Sequence, residues 1–235
     1  MAADNPATHR PRLARSLTDL GKQLAGTGRR AESFAATGAA VALYRQLAAE
    51  EPAAHTLALA RTLSHLVAGL REAGQDQEAL PVALEAVRIR QQLAADDPNA
   101  HGPDLAQALK DFAGALTLTR HWAKAITVTR ELVKVRRWLT AQNPDAYESG
   151  LSEALTASAL LRLLTGDDLP EALRATTEAL EIHRRLAAAA PERFHAPLCD
   201  ILRLQENLLQ ALGKQDEATA VHSWLAVNAS DPEPQ

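Results

Sequence analysis

Three histidines, His9, His55 and His101, stand one constant interval apart, the trace that a row of metal ligands would leave in a sequence. Ligation fails on distance. Equivalent atoms of stacked helical hairpins lie on the order of 10 Å apart, whereas zinc holds every ligand about 2 Å from one ion. The same position then carries Tyr147 and Phe194, rings that pack and do not ligate. His65, His121, His183, His195 and His222 add no pair at His-x3-His spacing. The acid pairs Glu50-Glu51, Asp96-Asp97 and Asp167-Asp168 fall at expected loops or helix ends. Carboxylates there read as solvated caps rather than as an acid and a base. Cys199 takes the place held by Ala14, Ala60, Ala106 and Ser152, a small packing position, and one thiol forms neither an intrachain disulfide nor a multi-cysteine metal site. The sequence also has no glycine-rich phosphate loop, no Gly-x-Ser-x-Gly and no Cys–His constellation. No catalytic, cofactor-binding or metal residue is assigned, and no enzymatic activity is expected.

The elements that position these residues follow from composition. The 235 residues include 49 Ala, 37 Leu and 20 Arg but only 5 Lys, 3 Phe and 2 Tyr. Ala and Leu lose little freedom in a helix, while strands want the β-branched and aromatic residues that are scarce here. A formal charge of −4 argues against general nucleic-acid binding. No run approaches the roughly 18 apolar residues of a membrane span. The opening Met1-Ala-Ala-Asp-Asn-Pro-Ala-Thr-His-Arg10 lacks an apolar leader core. A cytoplasmic, all-helical protein is expected.

Internal repetition organises the chain. Pro6, Pro52, Pro98 and Pro144 are 46 residues apart, and Pro191 follows 47 later. Seven residues after each comes Leu13, Leu59, Leu105, Leu151 or Leu198, and eleven after each comes Leu17, Leu63, Leu109, Leu155 or Leu202. Glycine falls 22 on at Gly28, Gly74, Gly166 and Gly213, with Arg120 in the third copy. A small residue follows at Ser33, Ala79, Ala125, Ala172 and Ala218. Proline suits the opening turn of a first helix. The leucine spacing gives that helix one apolar face, in the first copy Leu13, Leu17, Leu20 and Leu24. Glycine supplies a left-handed stop, and the small residue lets a second helix approach closely. Helices of roughly 16 and 20 residues are expected, about 24 and 30 Å long. The extra residue of the fourth copy belongs in its turn, between Thr165 and Pro170. A lone hairpin cannot bury both faces, so neighbours must stack.

Leu17-Thr-Asp-Leu20-Gly21-Lys-Gln-Leu24, then Gly28, Glu32-Ser33 and Ala40, resembles the tetratricopeptide repeat (TPR), most closely its long-hairpin variety as seen in bacterial signalling proteins. The unit is longer than the usual ~34 residues, and the family's tyrosine position holds Leu24, Leu70, Leu116, Arg162 and Leu209. A HEAT-type array is the structural alternative. The resemblance implies a right-handed α-solenoid of five tandem antiparallel helix hairpins, a single TPR-like solenoid over 1–227. Its repeats are about 5–50, 51–96, 97–142, 143–189 and 190–227, with 228–235 a disordered tail.

Family likeness further implies a concave surface lined by first helices, whose non-core positions contact a protein or peptide. Mapped by register these are Arg15, Thr18 and Lys22, then Arg61, Ser64 and Arg71, then Gln107 and Lys110. Their basic character favours an acidic segment. Solvated surface is the other reading of the same strip. The chaperone-tail clamp is not expected, because its asparagine positions hold Lys22 and His65. In the third copy Lys134 and Trp138 share a face within a basic second helix, as an interface would. Alternatively, Trp138 packs over a neighbouring hairpin beneath aliphatic stems. Residues 2–9 nearly repeat 94–101, like the end of a preceding second helix. This points either to the C-terminal piece of a longer array or to self-association through uncapped ends. The leading functional expectation is a non-enzymatic interaction scaffold. The alternative is a C-terminal regulatory repeat fragment of a larger nucleotide-switch or protease-like signalling protein.

Overall fold

The computed structural model describes residues 6–228, with side chains from His9 onward. The match at residues 2–5 and the tail expected beyond Asn228 lie outside the described residues. Within them the chain is helical throughout, without a strand: α1 (Pro6–Gly26), α2 (Arg30–Glu50), α3 (Pro52–Glu72), α4 (Asp76–Asp96), α5 (Pro98–Leu118), α6 (Trp122–Gln142), α7 (Pro144–Thr165), α8 (Leu169–Ala189), α9 (Pro191–Ala211) and α10 (Gln215–Asn228). Two compact units divide between His121 and Trp122. In the first, each of α1 to α5 packs on the next, and the first helices α1, α3 and α5 also touch in sequence. In the second, α6 to α10 do the same, and α7 touches α9. Tandem antiparallel hairpins are thus the building block of an all-α fold.

First helices are longer than the spacing suggested: α1, α3, α5 and α9 have 21 residues and α7 has 22. The reason is local. Pro52, Pro98, Pro144 and Pro191 are themselves in the opening turn, where a missing N–H costs nothing. Asp97 and Asn143 sit just before, and their side chains accept from the amides of Ala100 at 3.0 Å and Ala146 at 3.2 Å.

Turns behave as the glycines require. Gly28, Gly74, Gly166 and Gly213 have φ of 76°, 71°, 69° and 74°. Arg120 adopts the same left-handed conformation, φ 60°, without glycine's freedom. The inserted residue of the fourth copy is accommodated after Gly166, where Asp168 takes φ 43° and its carboxylate accepts from the Glu171 amide at 3.2 Å.

Leu63, Leu109 and Leu155 are fully buried, and the buried Ala79 and Ala172 let α4 close upon α3 and α8 upon α7. Ser33 uses the same closeness differently, donating its hydroxyl to the Gly21 carbonyl at 2.8 Å. One expectation fails at α1. The leucine spacing puts Leu13 and Leu20 on a core face, yet they are 52% and 45% exposed, while Leu59, Leu105, Leu151 and Leu198 are buried. In the later copies that face packs on the preceding second helix; among the described residues nothing covers it on α1.

Candidate interaction surface

In the first unit the first-helix face brings together eight of the residues assigned from sequence. Arg15 and Lys22 project from α1 into solvent, as Arg61 does from α3 and Gln107 and Lys110 from α5. Thr18 and Ser64 are half-buried and largely engaged with their own helices, donating to the carbonyls of Ala14 at 2.9 Å and Ala60 at 3.1 Å. Thr18 Oγ1 also lies 3.4 Å from Thr62 Oγ1, joining α1 to α3.

Arg71 is not the open cation that its position suggested. Its guanidinium reaches from α3 to Asp111 on α5 at 3.0 Å, with Asp76 3.7 Å away. It rests on Gly114, where an added Cβ would come within 2.5 Å of Nη2. Gln107 donates to the other Asp111 oxygen at 3.1 Å. This cluster fixes α5 to α3 and neutralises the Asp111 carboxylate. Arg15, Lys22 and Arg61 take part in no ion pair among the described residues.

Between α1, α2 and α3 lies a cleft of about 220 Å³, with Lys22, Phe34, His65 and Glu72 among its lining residues. Phe34 gets there because Gly69 leaves room; an added Cβ would stand 2.9 Å from its ring. Burial, and then the Lys22 charge, lower the His65 pKa, so the ring favours its neutral form. His65 and Glu72 were not singled out as contact residues. Their register alone carried a signal, since they occupy the same exposed first-helix positions as Asp19 and Gly26.

In the second unit Lys134 and Trp138 are exposed on α6, Trp138 by 37%. The cation–ring contact in this unit is elsewhere, Arg193 over Phe194 at 5.0 Å. Sequence reading missed a different feature of this unit. Leu160 and Leu164 on α7 are 46% and 60% exposed, at positions where other copies carry Lys22 and Glu72. A second cleft, about 560 Å³, is lined by Leu173, Leu212, Arg174, Lys214, Glu178 and Glu181 among others.

Ser152 and His183 meet at 2.6 Å, a pairing that could suggest nucleophile chemistry. Both are buried, Ser152 Oγ also lies 3.2 Å from the Ala179 carbonyl, and the Phe194 ring stands edge-on to the imidazole at 5.9 Å. Such a sealed pair has no approach for a substrate. No cluster of three or more His, Cys, Asp or Glu among the described residues could hold a metal. No described helix is long and apolar enough to cross a membrane.

The geometry is that of a TPR-like helical repeat protein, and the comparisons with solved structures agree. A putative kinesin light chain from Podosopora anserina with nearly identical TPR-like repeats superposes with TM-score 0.66 at 16% identity, covering 99% of this chain and 100% of that one. A substituted form of the same protein gives TM-score 0.65 at 17% identity, covering 93% and 95%. The apo form of RapI gives 0.66 at 11% identity, over 88% of this chain and 67% of that one. Identities this low describe shared fold. No protein-family model and no curated protein matches the sequence.

Proposed function

We propose that this chain is a non-enzymatic interaction scaffold of the cytoplasm that holds an acidic peptide segment or partner helix against its first-helix face. One observation carries the reading: Arg15, Lys22 and Arg61 stand exposed on the touching helices α1 and α3, without an ion-pair partner among the described residues. Asp111 on the neighbouring α5 is occupied by Arg71 and Gln107 and does not quench the strip. A preformed surface of this kind lowers the ordering cost of capturing an extended segment, and its charge steers acidic partners toward it.

The test is binding to an array of acidic, neutral and basic peptides at two salt concentrations. Retention of acidic peptides that weakens with salt, and is lost when Arg15, Lys22 and Arg61 are changed to Glu, is the expected result. Retention unaffected by those changes would refute the assignment of the face.

A further inference from the structure

The apolar stripe on α1 is not absorbed by the peptide-binding reading. Leu13, Leu17 and Leu20 follow one another at i, i+4 and i+7, the spacing of a helix–helix seam. Leu13 and Leu20 are about half exposed and Leu17 is only partly covered. Because Leu13 and Leu20 bracket the middle of the stripe, two such helices laid antiparallel place each Leu13 opposite the other copy's Leu20. The stripe complements itself.

The flanking charges decide what covers it. Arg12 and Asp19 lie seven residues apart on one flank, both exposed, and neither takes part in an ion pair among the described residues. In the antiparallel arrangement the Arg12 of one copy meets the Asp19 of the other, and the reverse, so the flank is matched as well.

Stacking by a second helix of the α4 or α6 kind, which carry arginine where α2 carries Tyr44 and α8 His183, is disfavoured at the same place. Asp104 and Gly150 occupy the register position of Arg12, six residues after the copy's first proline. Each receives an arginine from the preceding second helix: Arg90 pairs with Asp104 at 2.5 Å, and the Arg136 guanidinium lies over Gly150, 2.6 Å from where a Cβ would be. Arginine at residue 12 would meet that incoming arginine with like charge.

We infer that α1 is the contact surface of a two-fold symmetric dimer of this chain, with Leu13, Leu17 and Leu20 packed antiparallel between reciprocal Arg12–Asp19 pairs. One helix pair is a small interface, so the dimer dissociates on dilution. Its surface differs from the Arg15–Lys22–Arg61 strip, and the peptide reading can fail without it.

Sedimentation velocity on the full 235-residue chain, from micromolar to sub-millimolar concentration, reads the dimer directly. Wild type is expected to pass reversibly from monomer to dimer. Leu13→Asp with Leu20→Asp abolishes the dimer while helicity by circular dichroism is retained. Arg12→Asp or Asp19→Arg alone weakens the dimer, and the double reversal restores it, because the reciprocal pairs are re-formed with exchanged sign. A wild type that stays monomeric at every concentration overturns the inference. So does a dimer indifferent to the leucine changes, or a double reversal no tighter than the single ones.

Discussion

Arg45 on α2 grips Glu85 on α4 with two hydrogen bonds, Nε to Oε1 at 3.0 Å and Nη2 to Oε2 at 2.5 Å. In the second unit Arg137 on α6 grips Glu178 on α8 in the same way, at 3.3 and 2.6 Å. The two pairs occupy the same register positions of their copies, and the inserted residue of the fourth copy accounts for the one-residue difference in their spacing. They tie successive second helices together, and the carboxylate raises the pKa of each guanidinium through its hydrogen bonds. Both pairs are substantially exposed, so each contributes only up to about 1 kcal/mol. A double-mutant cycle with Arg45→Ala and Glu85→Ala, followed by denaturant titration, should return a coupling of that size that shrinks in high salt. A coupling of zero would remove these pairs from the account of how the hairpins hold register.

Arg120 holds a conformation that glycine holds in every other copy. A side chain in the left-handed region costs roughly 1–2 kcal/mol. Arg120→Gly should therefore raise the unfolding midpoint by an amount of about that order, less the entropy that glycine adds to the unfolded chain. Gly74→Ala should do the reverse. A lower midpoint for Arg120→Gly would show that its side chain contributes contacts outweighing the strain.

The uneven burial of one leucine face predicts unequal costs. Leu63 is fully buried in the core of α1 to α4 with Leu59, Tyr44 and Leu47, and Leu63→Ala should cost about 2–5 kcal/mol. Leu13→Ala in dilute solution should stay within about 0.5 kcal/mol of wild type. Equal losses at the two sites would contradict the exposure of α1.

His183 makes the second unit sensitive to acid. Burial lowers its pKa, against weaker opposing effects of the Glu153 charge and the Ala179 carbonyl. The unfolded imidazole, with a pKa of about 6.5, therefore takes its proton before the folded one does. Stability from this group is fully present above that value and falls as pH drops through it toward the folded pKa. Denaturant midpoints measured from pH 8 to pH 5 should decline, and His183→Gln should flatten the decline. A wild-type midpoint that rises on acidification would reverse the sign and refute the burial argument.

The hairpins themselves were legible because each stacking contact imposes a residue type at a fixed interval: Pro52 at a helix start, Leu63 in the seam, Gly74 at the turn, Ala79 at the crossing. Helix length was less legible, since the stripe of apolar residues begins about two turns after the proline that already starts the helix. Surface chemistry was less legible still. Arg71 reads as an exposed cation until Asp111, forty residues later, is placed beside it. Arg90 reads as solvated until its guanidinium is found buried against Asp104. These are partnerships between copies, and a register built from similarities among copies passes over the positions where they differ. Leu160 and Leu164 escaped for the converse reason: leucine in a helix reads as core, and only the structure shows which face points outward.

The central claim, that the first-helix face of α1, α3 and α5 receives an acidic segment, is tested most directly by NMR titration of the ¹⁵N-labelled chain with an acidic peptide. Amide shifts should concentrate at Arg15, Lys22, Arg61, His65 and Lys110, and should be abolished by Arg15→Glu with Arg61→Glu. Shifts gathered instead around Leu173, Glu181 and Leu212, or none at saturating peptide, would contradict it.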